Sequence, residues 1–253
     1  MTVKDKIALV EMNPPQKLVF LAKPLILELN EVFFELEKNP EVSVVILTGK
    51  GESFATGANI MEIQKMDLKG MLFNDYFMRD WWNVIPNFRK PLIAAINGMC
   101  FGGGLEVAMM ADILIASESA KLGQPEINLG ILPGSGGTVR LTTAVGKSKA
   151  MEMCLTGDSI NAQDALKWGL VSQVLPNNEK LLEAAFTLAK KIASKSQVAA
   201  ACTKRAVKQA LEVGETAAIE HERSLFIGIM GSHDKKEGTN AFVEKRKPNF
   251  KDE

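Results

Sequence analysis

The chain has 253 residues, 46% of them apolar and 24% charged, so it can bury a sizeable core and is neither disordered nor apolar enough to live in a membrane. Thirty basic residues balance thirty acidic ones, which removes the electrostatic case for a nucleic-acid or membrane partner and leaves any anionic ligand to be held locally. Cys100, Cys154 and Cys202 form no CxxC pair, and His221 and His233 lie in no nucleophile motif, so disulfide, metal and histidine-triad chemistry are not expected.

The opening MTVKDKIALVEM has neither the apolar centre of a secretory signal nor the Arg-rich character of a transit peptide. A cytoplasmic location is expected, with the mitochondrial matrix as the alternative for a processed chain. Ile7 to Val10 reads as a strand, stopped by NPPQ. A helix follows, because Leu25, Leu29, Val32, Phe33 and Leu36 recur at three- and four-residue spacing. EVSVVILTGKG is a near-continuous apolar run, the pattern of a buried strand, and leads into the loop ESFATGANI. Residues 72–88 read as helical and carry Trp81 and Trp82. Past Pro91, LIAAI is a second buried strand running into NGMCFGGG, followed by LEVAMMAD as a short helix and ILIAS as a strand. This alternation predicts an α/β arrangement with parallel strands whose ends carry the site. From about Leu181 the texture becomes helix after helix: LLEAAFTLAKKIA, VAAACTKRAVKQALEVG, AAIEHERSLFIGIM. With no repeat of solenoid length and no low-complexity linker, the expectation is a core over residues 1–195 with a helical extension over 196–253.

The glycine run at 102–104 fails the tests for a nucleotide site. GGGLEV lacks the spacing of a dinucleotide fingerprint, and AVGKSKA has Leu141 where a P-loop needs its first glycine. What remains is a run of bare N–H groups at a helix start, able to hold an oxyanion, or a simple turn. Glu106 favours the first, because a carboxylate between Leu105 and Val107 is a poor core filler. Glu126 in LGQPEINLGILPGSGGTVRL is a second acid in an apolar setting, and its benign alternative is an ordinary first-turn helix acid. Two carboxyls sharing one apolar pocket would have their pKa values driven apart, one serving as base and one as acid. Spacing alone does not bring them together.

ESFATGANI, KPLIAAINGMCFGGGLEVAMMADILIAS, LGQPEINLGILPGSGGTVRL, AVGKSKAMEMCLTGDSINAQDALKWGLV and EGTNAFVEKRKPNF together resemble the enoyl-CoA hydratase branch of the crotonase superfamily, in family order over nearly the whole chain. The resemblance implies a spiral of ββα turns with a helical C-terminal region that covers the active site and joins subunits into trimers and hexamers. It implies hydration of trans-2-enoyl-CoA, with no metal and no cofactor beyond the coenzyme A of the substrate. Its oxyanion-hole amides fall on Ala58 and Gly103, and its two acids on Glu106, which activates water, and Glu126, which supplies a proton. Asn59, Ile60 and Met61 fall at the coenzyme end with Ala58 and Gly103, and Phe226 and Lys245 match residues that close over the coenzyme. The benign alternatives for these two are a core aromatic and a solvated charge. Departures lie in NPPQKLVFLAKPL and at Asn59 and Met61, where the family often has Asp and Lys, so a phosphate-binding cation is missing. Rival readings are another crotonase reaction, such as double-bond isomerisation or hydration of a specialised acyl group, and an RNA-binding scaffold, which the neutral charge disfavours.

Overall fold

The computed structural model describes residues 1–14, 18–73 and 83–252. The chain runs through β1 (Thr2–Lys4), β2 (Ile7–Met12), α1 (Lys23–Lys38), β3 (Val44–Gly49), β4 (Ser53–Ala55), α2 (Ile60–Ile63), α3 (Leu68–Phe73) and α4 (Val84–Asn87). It continues with β5 (Leu92–Ile96), β6 (Met99–Phe101), α5 (Gly103–Ala108), β7 (Ile113–Ser117), β8 (Lys121–Gly123) and a 3-10 turn at Pro125–Leu129. Then come α6 (Gly137–Val145), α7 (Lys147–Thr156), β9 (Ser159–Asn161), α8 (Ala162–Lys167), β10 (Gln173–Leu175), α9 (Asn178–Ala193), α10 (Gln197–Ala210), α11 (Glu215–Ile229) and α12 (His233–Val243).

The strands come in pairs that step between two sheets. β3, β5 and β7 are parallel neighbours in a six-stranded sheet of order β1-β2-β3-β5-β7-β10, while their successors β4, β6 and β8 are parallel neighbours in a second sheet closed by β9. Each turn therefore lays one strand in each sheet and returns through a connection of its own, the expected ββα spiral. Asn97 holds the corner between the sheets: it accepts from the Gly49 N–H at 3.2 Å and donates to the Gly51 carbonyl at 2.9 Å.

The apolar runs read as buried strands are buried on both faces. Val45, Leu47, Ala94 and Ile96 point to the interior between the sheets, and Val44, Ile46, Ile93, Ala95 and Ile115 point the other way, where Leu181, Ala185 and Ala189 of α9 cover them. Alternate residues facing two apolar layers explain why these strands show no polar alternation. One expectation needs correcting. The segment read as the loop ESFATGANI contains β4; NGMCFGGG contains β6, and Gly103 opens α5. Of the helix expected over 72–88, the described residues hold the end of α3 and all of α4, and residues 74–82, with Trp81 and Trp82, lie outside the described residues.

Candidate active site

Two stretches of backbone meet where β4 and β6 end. The segment before α1 runs beside the chain leaving β4: Thr56 N–H donates to the Val19 carbonyl at 2.8 Å and Leu21 N–H to the Gly57 carbonyl at 2.9 Å, and Leu21 bridges Ala58 in parallel fashion. On the other side Gly102, at φ +51 in a region that favours glycine, donates its N–H to the Gly123 carbonyl at 2.9 Å and turns the chain into α5. Gly103 is then the first helical residue, where an N–H has no acceptor within the helix. A Cβ placed on Gly103 would lie 3.7 Å from the Ala58 nitrogen, so the two amides flank one small space. Neither N–H is used in the hydrogen bonds of the described residues. The spacing is held by Gly104, whose Cβ would come within 2.1 Å of the Ala55 carbonyl oxygen; only a bare backbone lets α5 lie this close to β4.

Glu106 is 3% exposed. Its Oε1 accepts from Ser135 N–H at 2.7 Å and from Gly137 N–H at 2.8 Å, and its Oε2 would be 3.8 Å from a Cβ on Gly103, on the side of the paired amides. Burial pushes its carboxyl above the usual range, while the Gly137 and Ser135 amides and the Arg140 guanidinium act in the opposite direction. Glu126 sits in the first turn of the 3-10 segment, close enough to the Gly102 backbone that a Cβ there would be 3.0 Å from its Oε1. The Gln124 amide, turned so that its NH2 faces the carboxyl, donates to both oxygens of Glu126 at 2.9 and 3.1 Å. Burial pushes Glu126 up to about 7; its own backbone N–H opposes this and the Glu106 charge adds to it. Both acids and both loops line one cleft of about 510 Å³, whose other walls are mostly apolar, among them Leu21, Ile63, Met66, Met71, Leu129 and Leu132.

Asn59 and Ile60 line this cleft and also a larger neighbouring one of about 840 Å³, which Met61 joins. Asn59 caps α2, accepting from Met61 N–H at 3.1 Å. Phe226 and Lys245 line neither cleft of this chain. Phe226 is an exposed residue of α11 rather than a core aromatic, and Lys245 is an exposed residue just after α12 with φ +55. Sequence reasoning missed the use of GSGGTVRL, which is to present the Ser135 and Gly137 amides to Glu106. It also missed Gln124 and Arg140. Among the described residues, no three His, Cys, Asp or Glu side chains gather in a way that could hold a metal.

The enoyl-CoA hydratase/isomerase family model matches residues 2–253. The chain is 46% identical over 249 residues to the mitochondrial enoyl-CoA hydratase of Pongo abelii, covering 98% of this chain and 85% of that protein. It is 40% identical over 248 residues to the 2,3-dehydroadipyl-CoA hydratase of Escherichia coli K12, covering 98% and 96%. The crystal structure of enoyl-CoA hydratase subunit I from Geobacillus kaustophilus HTA426 superposes with a TM-score of 0.94 at 35% identity, covering 100% of this chain and 97% of that one.

Proposed function

This chain belongs to the enoyl-CoA hydratase/isomerase family and is an enzyme that adds water to trans-2-enoyl-CoA to give 3-hydroxyacyl-CoA, and we propose that Glu106, Glu126 and the amides of Ala58 and Gly103 carry that reaction. The observation behind this is that two carboxyls in unlike electrostatic settings share one cleft with two paired amides. The thioester oxygen sits between the Ala58 and Gly103 N–H groups, which stabilise the negative charge it gains as the double bond is attacked. Glu106, whose charged form two amides and a nearby cation favour against the burial that raises it, takes a proton from the water whose oxygen bonds to C3. Glu126, protonated for a large fraction of the time near neutral pH, gives its proton to C2. Exchange with solvent then returns both carboxyls to their starting states. Loss of the conjugated-thioester absorbance of crotonyl-CoA measures the reaction. Glu106→Gln and Glu126→Gln should each lower turnover by at least about 10²-fold with the fold intact, and near-wild-type hydration in either would overturn the two-carboxyl mechanism.

The coenzyme end of the substrate belongs in the larger cleft, a reading supported by Asn59 and Ile60 lining both spaces. Among the described residues, no Lys or Arg lines either cleft. The acyl cleft carries Glu62, Asp67, Glu106 and Glu126 against a mostly apolar wall. That charge pattern favours a neutral acyl chain over one ending in a carboxylate, the kind of substrate named for the E. coli relative. Crotonyl-CoA should therefore exceed 2,3-dehydroadipyl-CoA in kcat/KM by at least about tenfold, since a desolvated carboxylate without a partner is costly; equal values would refute the assignment. The reaction needs no cofactor in this reading, because the thioester activates its own β-carbon. Assembly into trimers or hexamers is supported by the apolar side chains exposed on α11 and α12. The bacterial and mitochondrial relatives support a cytoplasmic or matrix setting, and no helix among the described residues is long and apolar enough to cross a membrane.

A further inference from the structure

We propose that Arg140 is a positioning residue for the hydration, fixing the loop whose amides hold Glu106. The proposal rests on the two-carboxyl reading above. Ser135 is used from both ends: its N–H donates to Glu106 Oε1 at 2.7 Å, and its carbonyl accepts from Arg140 Nη1 at 2.7 Å. Arg140 lies one turn into α6, and Gly137, the other donor to Glu106, is the first residue of the same helix. Between them Gly136 has φ +96, and a Cβ on it would fall 2.2 Å from Arg140 Nη1. The guanidinium therefore lies against bare backbone, and its place is reserved by the absence of a side chain. Arg140, Ser135, Gly136, Gly137 and Glu106 form one closed circuit, in which the cation sets the loop and the loop sets the carboxylate.

The charged and titratable groups facing Glu106 come from several elements. Arg140 projects from α6, Glu126 from the 3-10 segment and Cys154 from α7. Glu62 and Asp67 line the same cleft. Arg140 is the cation among them, so it offsets both the burial of Glu106 and the repulsion from Glu126. It does not line the cleft, which separates it from substrate-binding groups.

Three variants, Arg140→Met, Arg140→Lys and Glu106→Gln, are compared with the wild-type protein on crotonyl-CoA across pH, each with a thermal melt. Arg140→Met should lower kcat at least about tenfold with KM within about twofold, because an interaction acting through the general base is lost while binding is kept. The acid limb of its kcat/KM profile should move to higher pH, because Glu106 loses the cation that favours its charged form. Arg140→Lys should return the acid limb to its wild-type place and recover part of kcat, since the ammonium keeps the charge but not the planar donor. A folded Arg140→Met enzyme with wild-type kcat and acid limb overturns the proposal. If that variant does not fold, Arg140→Lys decides: a wild-type kcat overturns the proposal, and a reduced kcat with the acid limb in place supports it. Glu106→Gln separates the two layers of the argument. Hydration surviving there removes the two-carboxyl reading and this proposal with it, whereas loss there beside an unaltered Arg140→Met removes the positioning role alone.

Discussion

Burial raises both carboxyls of the cleft, but they differ in what lies within hydrogen-bond reach of each. Glu106 has two backbone donors and a nearby guanidinium. Glu126 has a neutral amide and a neighbouring negative charge. A site of this kind weakens the fold it sits in. Glu126, normally near 4.5, is pushed up to about 7 in the folded chain, so the folded state binds its proton more tightly than the unfolded state does. The associated stability is complete below about pH 4.5 and is lost as pH rises through about 7. Glu126→Gln has no proton to lose, so its Tm should gain on the wild type as pH is raised from about 5 to about 9. Parallel Tm curves over that range would contradict the raised pKa. Glu106 and Glu126 were legible as residues, since each is an acid where an apolar side chain would be cheaper. Their partners were not, because Ser135 and Gly137 act through main-chain N–H groups that every residue but proline carries. Arg140 was equally silent: a lone cation in TVRL looks like any solvated charge until the Ser135 carbonyl is seen against it.

Among the elements, the contact of α5 with β4 carries the most consequence. Gly103 and Gly104 are adjacent, yet they face different demands. A Cβ on Gly104 would meet the Ala55 carbonyl oxygen at 2.1 Å, whereas one on Gly103 meets the flexible end of Leu21 at 3.3 Å. Gly104→Ala should therefore lower the melting midpoint, with a loss of about 1–3 kcal/mol typical of overpacking. Gly103→Val should melt close to wild type but lose at least about 10²-fold in kcat/KM per folded site, because its side chain crowds the thioester oxygen between the donors. Thermal melts with active-site-normalised rates test both, and a fully active Gly103→Val would leave that glycine as a turn residue only. β4 and β6 escaped a reading by periodicity because each is three residues long, too short for alternation to register. β3 and β5 were legible because burial on both faces leaves an unbroken apolar run. α12 gave no signal for a third reason: only Asp234 and Ala241 are buried in it, so it has no apolar stripe.

For the whole molecule, side-chain contacts tie the helices after residue 196 to the rest of the chain, among them Lys208 Nζ donating to the Pro86 carbonyl at 2.9 Å and Lys6 pairing with Asp252 at 3.6 Å. Lys204 pairs with Asp112 at 2.7 Å and donates to the Lys90 carbonyl at 2.8 Å, tying α10 to the core. Asp234 accepts from the N–H groups of Lys251 and Asp252 at 2.8 and 3.1 Å, folding the last residues back onto α12. Between these fastenings Phe226, Ile227, Phe242 and Val243 remain exposed, Phe242 by 85%. Apolar exposure on this scale argues for burial against other copies of the chain. Light scattering at micromolar concentration should report an oligomer, and a monomer would count against the assembly proposed above. The contact of α5 with β4 also divides the machinery by how it is encoded. In the mechanism proposed above, the half that holds the thioester is made of main chain, with its gap fixed by a backbone pressed against a carbonyl, whereas the half that moves protons is made of two side chains. One codon change can erase either carboxyl without shifting an amide donor, but no single replacement side chain can supply those donors.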